Sequence, residues 1–358
     1  MIGRRQLIGG LVAGALVRPG VAAATGGLDA ELGTPPPSSG SHVPAARNPA
    51  VRVLLATRVG SEAVSASGAG AFSFAGKTYR GVPAIVDAPN LPSALVATVP
   101  LDAYLYAVVP LEIGRGGTDA ALQAQAIVAR TYALAHRAQG RPYDLVAHAG
   151  DQVWGAIDAE SPQTSRAVDA TSGAVVTYGG GLATVFYASC CGGHTADARG
   201  LWGGADLPYL RGVDDPYCLI SPDARWSETL SVGDLSAALG SRLAGLGTLR
   251  RIGLGDPAAD MRRTVTFAGT AGVLDLSSAQ VRSALGSRVP LRSSFWLSLT
   301  VAGDPAQPST QVTIEGAGRG HGVGLCQWGA RVMARAGRSA REIVAYYFPG
   351  TTIDVGGS

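Results

Sequence analysis

The sequence predicts an α+β fold, two lobes with a substrate cleft between them. Three observations carry this. Strand-like and helix-like stretches are interspersed without regular alternation, which argues against a doubly wound parallel sheet. Fifty glycines, with aromatics at only 6% of 358 residues, point to many turns and short elements. The texture also changes at 221–290, where short amphipathic pieces such as Val232 to Leu243 and a strand-like Arg263 to Phe267 suggest a second lobe or insertion.

Taken in order, residues 1–24 read as an address. Arg4 and Arg5 precede an apolar run from Leu7 to Val17, and Ala22 to Ala24 offer a cleavage site. The paired arginines suit a twin-arginine signal, so the expected location is exported, in the envelope or outside the cell. Residues 25–50, with Pro35 to Pro37, have no apolar period and read as a tether. The core is expected over 51–220 and 291–353. Strands are expected at Val51–Leu55, Ala71–Phe74 and Ala94–Val99. Helices are expected from Thr118 to Arg137, along the Leu122, Ala126, Ala129 and Ala133 stripe, over Gln327 to Arg335, and from Ser339, whose spacing to Glu342 is that of a capping box. No segment outside the address suggests a membrane span.

Charge excludes one class of function. The chain carries 29 Lys+Arg against 26 Asp+Glu, and the surplus of three is Arg4, Arg5 and Arg18. The rest is neutral, so it has no overall pull on nucleic acid.

Four blocks carry candidate chemistry. In the run from Tyr104 to Gly114, Glu112 is the one charged residue among apolar neighbours; partly dry surroundings raise a carboxyl pKa toward that of a general acid. The plainer alternative is a Glu at a strand end, solvated or paired with Arg130. Gln125 and Arg130, polar positions in the Ala-rich helix, either brace the loop of Glu112 or satisfy nearby carbonyls. Between Ala188 and Asp197, Cys190, Cys191 and His194 offer zinc ligands, with Cys218 or Cys326 to complete the set. Neighbouring side chains in an extended segment point apart, which favours Cys191, His194 and Cys218, with Cys190, Cys326 or water fourth. A Cys191–Cys218 disulfide in an exported protein, or a cysteine nucleophile with His194 or His321 as base, stays open. The fourth block runs from Gly316 to Ala330. Gly320 and Gly322 let backbone approach a ligand, His321 and Gln327 supply polar tips, and Trp328 a flat face, a set suited to a sugar ring. A dinucleotide site is disfavoured because these glycines lack the strand-to-helix GxGxxG context.

With these blocks in order the chain closely resembles the SpoIID/LytB family. The matching segments are VVPLEIG, ALQAQAIVARTYAL, DQVWGAI (151–157), VFYASCCGGHTADA (185–198), PYLRGVDDPYC (208–218), LRSSFWL (291–297), GRGHGVGLCQWGARVMARAG and IVAYYFPGT (343–351). The resemblance implies a two-lobed fold and places Glu112 at the catalytic acid position of a peptidoglycan lytic transglycosylase. It implies glycan strands as substrate, and the residues expected to contact them from the blocks above are Gln125, Arg130, Gly320, His321, Gly322, Gln327 and Trp328. It implies no cofactor for the chemistry, and a structural zinc of the kind that some members carry. A single glutamate suffices if the sugar's own C6 hydroxyl closes on the anomeric carbon, giving a 1,6-anhydro-muramoyl end, whereas hydrolysis usually needs two carboxylates. The LytB side of the family implies another role, a wall-binding modifier of a cell-wall amidase.

Overall fold

The computed structural model describes residues 48–355 except 69, 138–139, 259–261 and 287. The expected signal segment and nearly all of the tether lie outside the described residues. What is described is α+β: several small, mostly antiparallel sheets with helices packed among them.

The helices are α1 (Leu101–Glu112), α2 (Asp119–Ala135), α3 (Pro162–Ala170), α4 (Ala198–Trp202), α5 (Val232–Leu239), α6 (Ser278–Leu285), α7 (Gln327–Arg335) and α8 (Ala340–Tyr347). None of them is long and apolar enough to cross a membrane. The Ala-rich stripe of α2 is buried because α1, α3, α7 and α8 all pack on it, and small side chains let four neighbours approach. Thr118 sits at its N-cap in extended backbone, but its hydroxyl caps nothing. Ser339 and Glu342 do form a capping box, which starts α8.

One apolar core joins α1, α2, α3, α7 and α8 with strand Ala50–Ala56, which pairs antiparallel with Leu91–Pro100 and parallel with Leu145–Val146. A second core holds Trp226, Leu235, Phe267, Val281, Trp296, Val312 and Ile314. It is built on two three-stranded sheets, and it draws in strands Trp296–Ala302 and Gln311–Gly316, well past residue 290. Asp223 clips the two parts together, accepting from Arg292 at 2.8 Å and Arg319 at 3.3 Å.

Two features position the site. Strand Tyr187–Ala188 lies parallel to Leu325–Cys326, which brings the cysteine block against the late glycine block. The other is α1, a helix in a segment to which the sequence reading assigned no helix, the strand end being only its plainer alternative for Glu112. Its residues are buried on almost every side, so no amphipathic period marks it, and Pro110 in its last turn disguises it further. Glu112 is its final residue.

Candidate functional site

Glu112 opens onto a pocket of about 200 Å³. Ile113 and Ser189 line it with Glu112; Gln327, Trp328, Arg331 and Arg335 reach it from α7. The chain thus brings together residues more than two hundred positions apart. Glu112 is half-buried, and burial pushes its carboxyl above the usual range. Its place at the C-terminal, negative end of α1 acts in the same direction. Two neutral donors oppose the shift: the Val153 N–H donates to Oε1 at 2.8 Å, and Tyr187 hydrogen-bonds the carboxylate through its hydroxyl. Gln152 holds Tyr187, donating from Nε2 to its hydroxyl oxygen at 3.1 Å, and accepts from Tyr104 at 3.2 Å. Among the described residues no cation pairs with Glu112. The arrangement can present a proton to a leaving oxygen.

Sequence reasoning missed the roles of Val153, Gln152 and Tyr187. Their segments stood out, but a backbone N–H and a hydroxyl carry no sequence signature until the fold aims them.

The expected sugar-contacting residues divide. Gln327 and Trp328 line the pocket. Gln125 lies beneath them, fully buried, its Oε1 accepting from Gln327 Nε2 at 3.3 Å. Arg130 is elsewhere. Its guanidinium has no exposure and binds Asp102 at 2.9 Å and the carbonyls of Val168 and Ala174, so it holds α1 to α2 and α3 instead of meeting a ligand. Gly320, His321 and Gly322 do not line the pocket. His321 packs 5.1 Å from the Trp202 ring, and burial lowers its pKa to about 4. Gly322 has φ +69°, and a Cβ there would stand 2.6 Å from the Phe295 ring, so this glycine is a packing requirement.

The cysteines converge beside the pocket. Cys191, Cys218 and Cys326 lie with Asp215, all buried, their ligand atoms within 4.8 Å of one another. All four cysteines are free, and the Cys191 and Cys218 sulfurs are 3.5 Å apart. Cys190 also interacts with the Cys218 and Cys326 thiols, so both neighbouring cysteines face this cluster despite the divergence expected of them. The surrounding thiols push Cys218 far down and Cys191 up. His194 is not in the group. It sits beside Asp214, its Nε2 3.9 Å from that carboxylate. Asp215, which sequence reasoning passed over, takes the fourth place: it accepts from Cys191 at 3.2 Å and Tyr347 at 2.9 Å and caps the turn that carries Cys218. Three sulfurs and one carboxylate oxygen at this spacing fit tetrahedral zinc, whose bonds of about 2.3 Å put sulfurs about 3.8 Å apart.

The cluster and the pocket share α7. Cys326 is its N-cap, the sulfur accepting from the Gly329 N–H at 3.5 Å. Any Cβ at Gly329 would collide with the Tyr347 hydroxyl and the Asp215 carboxylate. The next residue after Cys326 is Gln327, on the pocket wall.

Comparison with known proteins finds relatives of this chain. The profile of the Stage II sporulation protein family matches residues 92–178, which include Glu112 and all of α2. Stage II sporulation protein D of Bacillus subtilis is 27% identical over 77% of this chain and 81% of its own length. The chain is similar to the SpoIID/LytB family. The amidase enhancer of Bacillus subtilis is 28% identical over 70% of the chain and 40% of its own length. An uncharacterised protein of Brachyspira hyodysenteriae is 31% identical over 71% of the chain, which spans 66% of that relative.

Proposed function

We propose that this chain is an exported enzyme that cleaves peptidoglycan glycan strands by lytic transglycosylation. The observation that carries the reading is a pocket with one carboxylate, Glu112, raised by burial and, among the described residues, paired with no cation. Protonated, it gives its proton to the leaving glycosidic oxygen; ionised, it accepts the proton of the C6 hydroxyl as that oxygen closes on the anomeric carbon. Hydrolysis through a second carboxylate finds no candidate among the lining residues. Trp328 offers a face for a sugar ring and Gln327 hydrogen bonds for its hydroxyls. Mass spectrometry of products from purified glycan tests this: anhydro-muramoyl ends lack one water relative to hydrolysis products. Release of such ends by Glu112→Gln would remove the assignment.

The amidase enhancer's name favours a second reading, a wall-binding partner that stimulates a cell-wall amidase without cleaving glycan. Stimulation of a purified amidase by Glu112→Gln protein, with no anhydro ends from the wild type, would select it.

We also propose that Cys191, Cys218, Cys326 and Asp215, with Cys190 beside them, hold a structural zinc that fixes the start of α7. Thiolate ligands would then stay deprotonated together, which metal alone permits in so small a volume. Elemental analysis of untagged protein should give about one zinc per chain. Metal-free protein that, when denatured, titrates two thiols instead of four would establish the Cys191–Cys218 disulfide instead.

A further inference from the structure

Arg331 and Arg335 stand one helical turn apart on α7, and both line the Glu112 pocket. Like charges at this spacing work against a helix, so the pair needs a reason. Arg331 lies over the loop that follows Glu112: its Nη1–H donates to the Gly116 carbonyl at 3.1 Å, and its guanidinium packs against Gly114 and Gly117. That contact fixes the planar head and leaves most of its donors open. Burial and the neighbouring Arg335 both lower its pKa, the mark of positive charge without compensation. Among the described residues neither guanidinium meets a carboxylate. Glu112, the acid of the same pocket, is hydrogen-bonded by Val153 and Tyr187, and among the described residues it has no ion pair with either arginine. An acid and two cations therefore line one cavity without an ion pair between them.

We infer that Arg331 and Arg335 form a carboxylate-recognition subsite of this pocket, reading an acidic group that the wall strand carries beside the scissile bond. The inference rests on the glycan-cleaving reading above. Muramic acid bears a lactyl ether whose carboxyl is either free or joined to a stem peptide, and the peptide brings carboxylates of its own. A guanidinium suits either source, since its planar fork takes a carboxylate through two parallel hydrogen bonds. Trp328 and Gln327 would hold the sugar while the arginines fix which sugar presents its anomeric carbon to Glu112.

Binding to the non-cleaving Glu112→Gln protein tests this. It is titrated with denuded muramoyl tetrasaccharide, with a peptide-bearing fragment of equal length, and with each after reduction of its carboxyls to alcohols. Reduction should weaken binding about tenfold or more, and adding Arg331→Gln with Arg335→Gln should abolish that difference. A difference on the denuded fragment assigns the lactyl carboxylate; one on the peptide-bearing fragment alone assigns the stem peptide. Arg335 is exposed, so Arg335→Gln by itself, which leaves the Arg331 packing intact, should still lose about threefold of the discrimination, and Arg331→Lys should restore only part of it. Equal binding of acid and reduced forms, or undiminished discrimination in the double variant, overturns the inference. The two readings fail separately: anhydro ends from wild-type protein that ignores the carboxyl in binding sink the subsite alone, and carboxyl discrimination without any cleavage sinks the enzyme reading alone.

Discussion

The two ends of α1 carry the same kind of group and treat it in opposite ways. Asp102, in the first turn, meets the favourable pole of the helix, the Arg130 guanidinium at 2.9 Å and the Ser172 hydroxyl at 2.5 Å. Its charge is matched in place. Glu112, in the last turn, meets the unfavourable pole, partial burial and only neutral donors. A carboxylate closed off by a buried cation can hold helices together but has no proton to offer; one left half-dry and unpaired costs stability and can do chemistry. Residue type and apolar surroundings do not separate the two. What separates them is the cation that the fold delivers to one and withholds from the other.

The largest effect should come from removing the proton at the chemical end. Glu112→Gln keeps the shape and the Val153 hydrogen bond, and is expected to lower glycan cleavage by about 100- to 10,000-fold. The same substitution should stabilise the protein at neutral pH. A carboxyl whose folded pKa lies above its unfolded value takes up protons on folding, so native stability falls as pH rises from the ordinary glutamate range through the raised one. Thermal melts of wild type and Glu112→Gln should coincide in acid and diverge in favour of the variant above that window. Equal melting at every pH would contradict the raised pKa.

Next in size is the structural end. Asp102→Ala leaves the Arg130 charge buried without a partner, and chemical denaturation should show a loss of about 3–5 kcal/mol. The double replacement Asp102→Leu with Arg130→Met should recover most of it, because an apolar pair of similar volume needs no charge compensation. Protein that remains folded should cleave glycan at its usual rate, since this pair does not touch the pocket. A loss confined to catalysis, with stability unchanged, would reverse the roles of the two carboxylates.

Much of the fold was legible where a period or a cap was written locally. The α2 stripe, the strand at Ala50–Ala56 and the Ser339–Glu342 capping box all follow from spacing. α1 was not legible, because a helix buried all round loses the polar face that marks it. In the site, Glu112 stood out as an acid in an apolar run. Arg130 misled because a buried arginine and a ligand-binding arginine look alike until Asp102 is seen 28 residues upstream in the same ion pair. His194 and Asp215 misled in the opposite sense: the familiar ligand type faces Asp214, while an aspartate between two other motif residues turns inward. Which neighbour of a glycine turn points in is decided by backbone torsions, and composition does not record them.

The smallest expected effect tests whether the donors around Glu112 are as neutral in consequence as in charge. Tyr187→Phe removes the hydroxyl that favours the ionised carboxylate, so the Glu112 pKa should move further up. For a general acid the descending limb of the pH–rate profile follows that pKa, and it should shift to higher pH in the variant. At neutral pH the rate should change by less than about tenfold, because the Val153 N–H still orients the carboxylate. Gln152 loses one of its two acceptors as well, keeping the Ala129 carbonyl, and stability should fall by about 1 kcal/mol. A limb that moves to lower pH, or stays in place while the rate collapses, would mean that Tyr187 itself handles the proton. Glu112 would then differ from Asp102 in having a partner in its chemistry, as well as in lacking a cation.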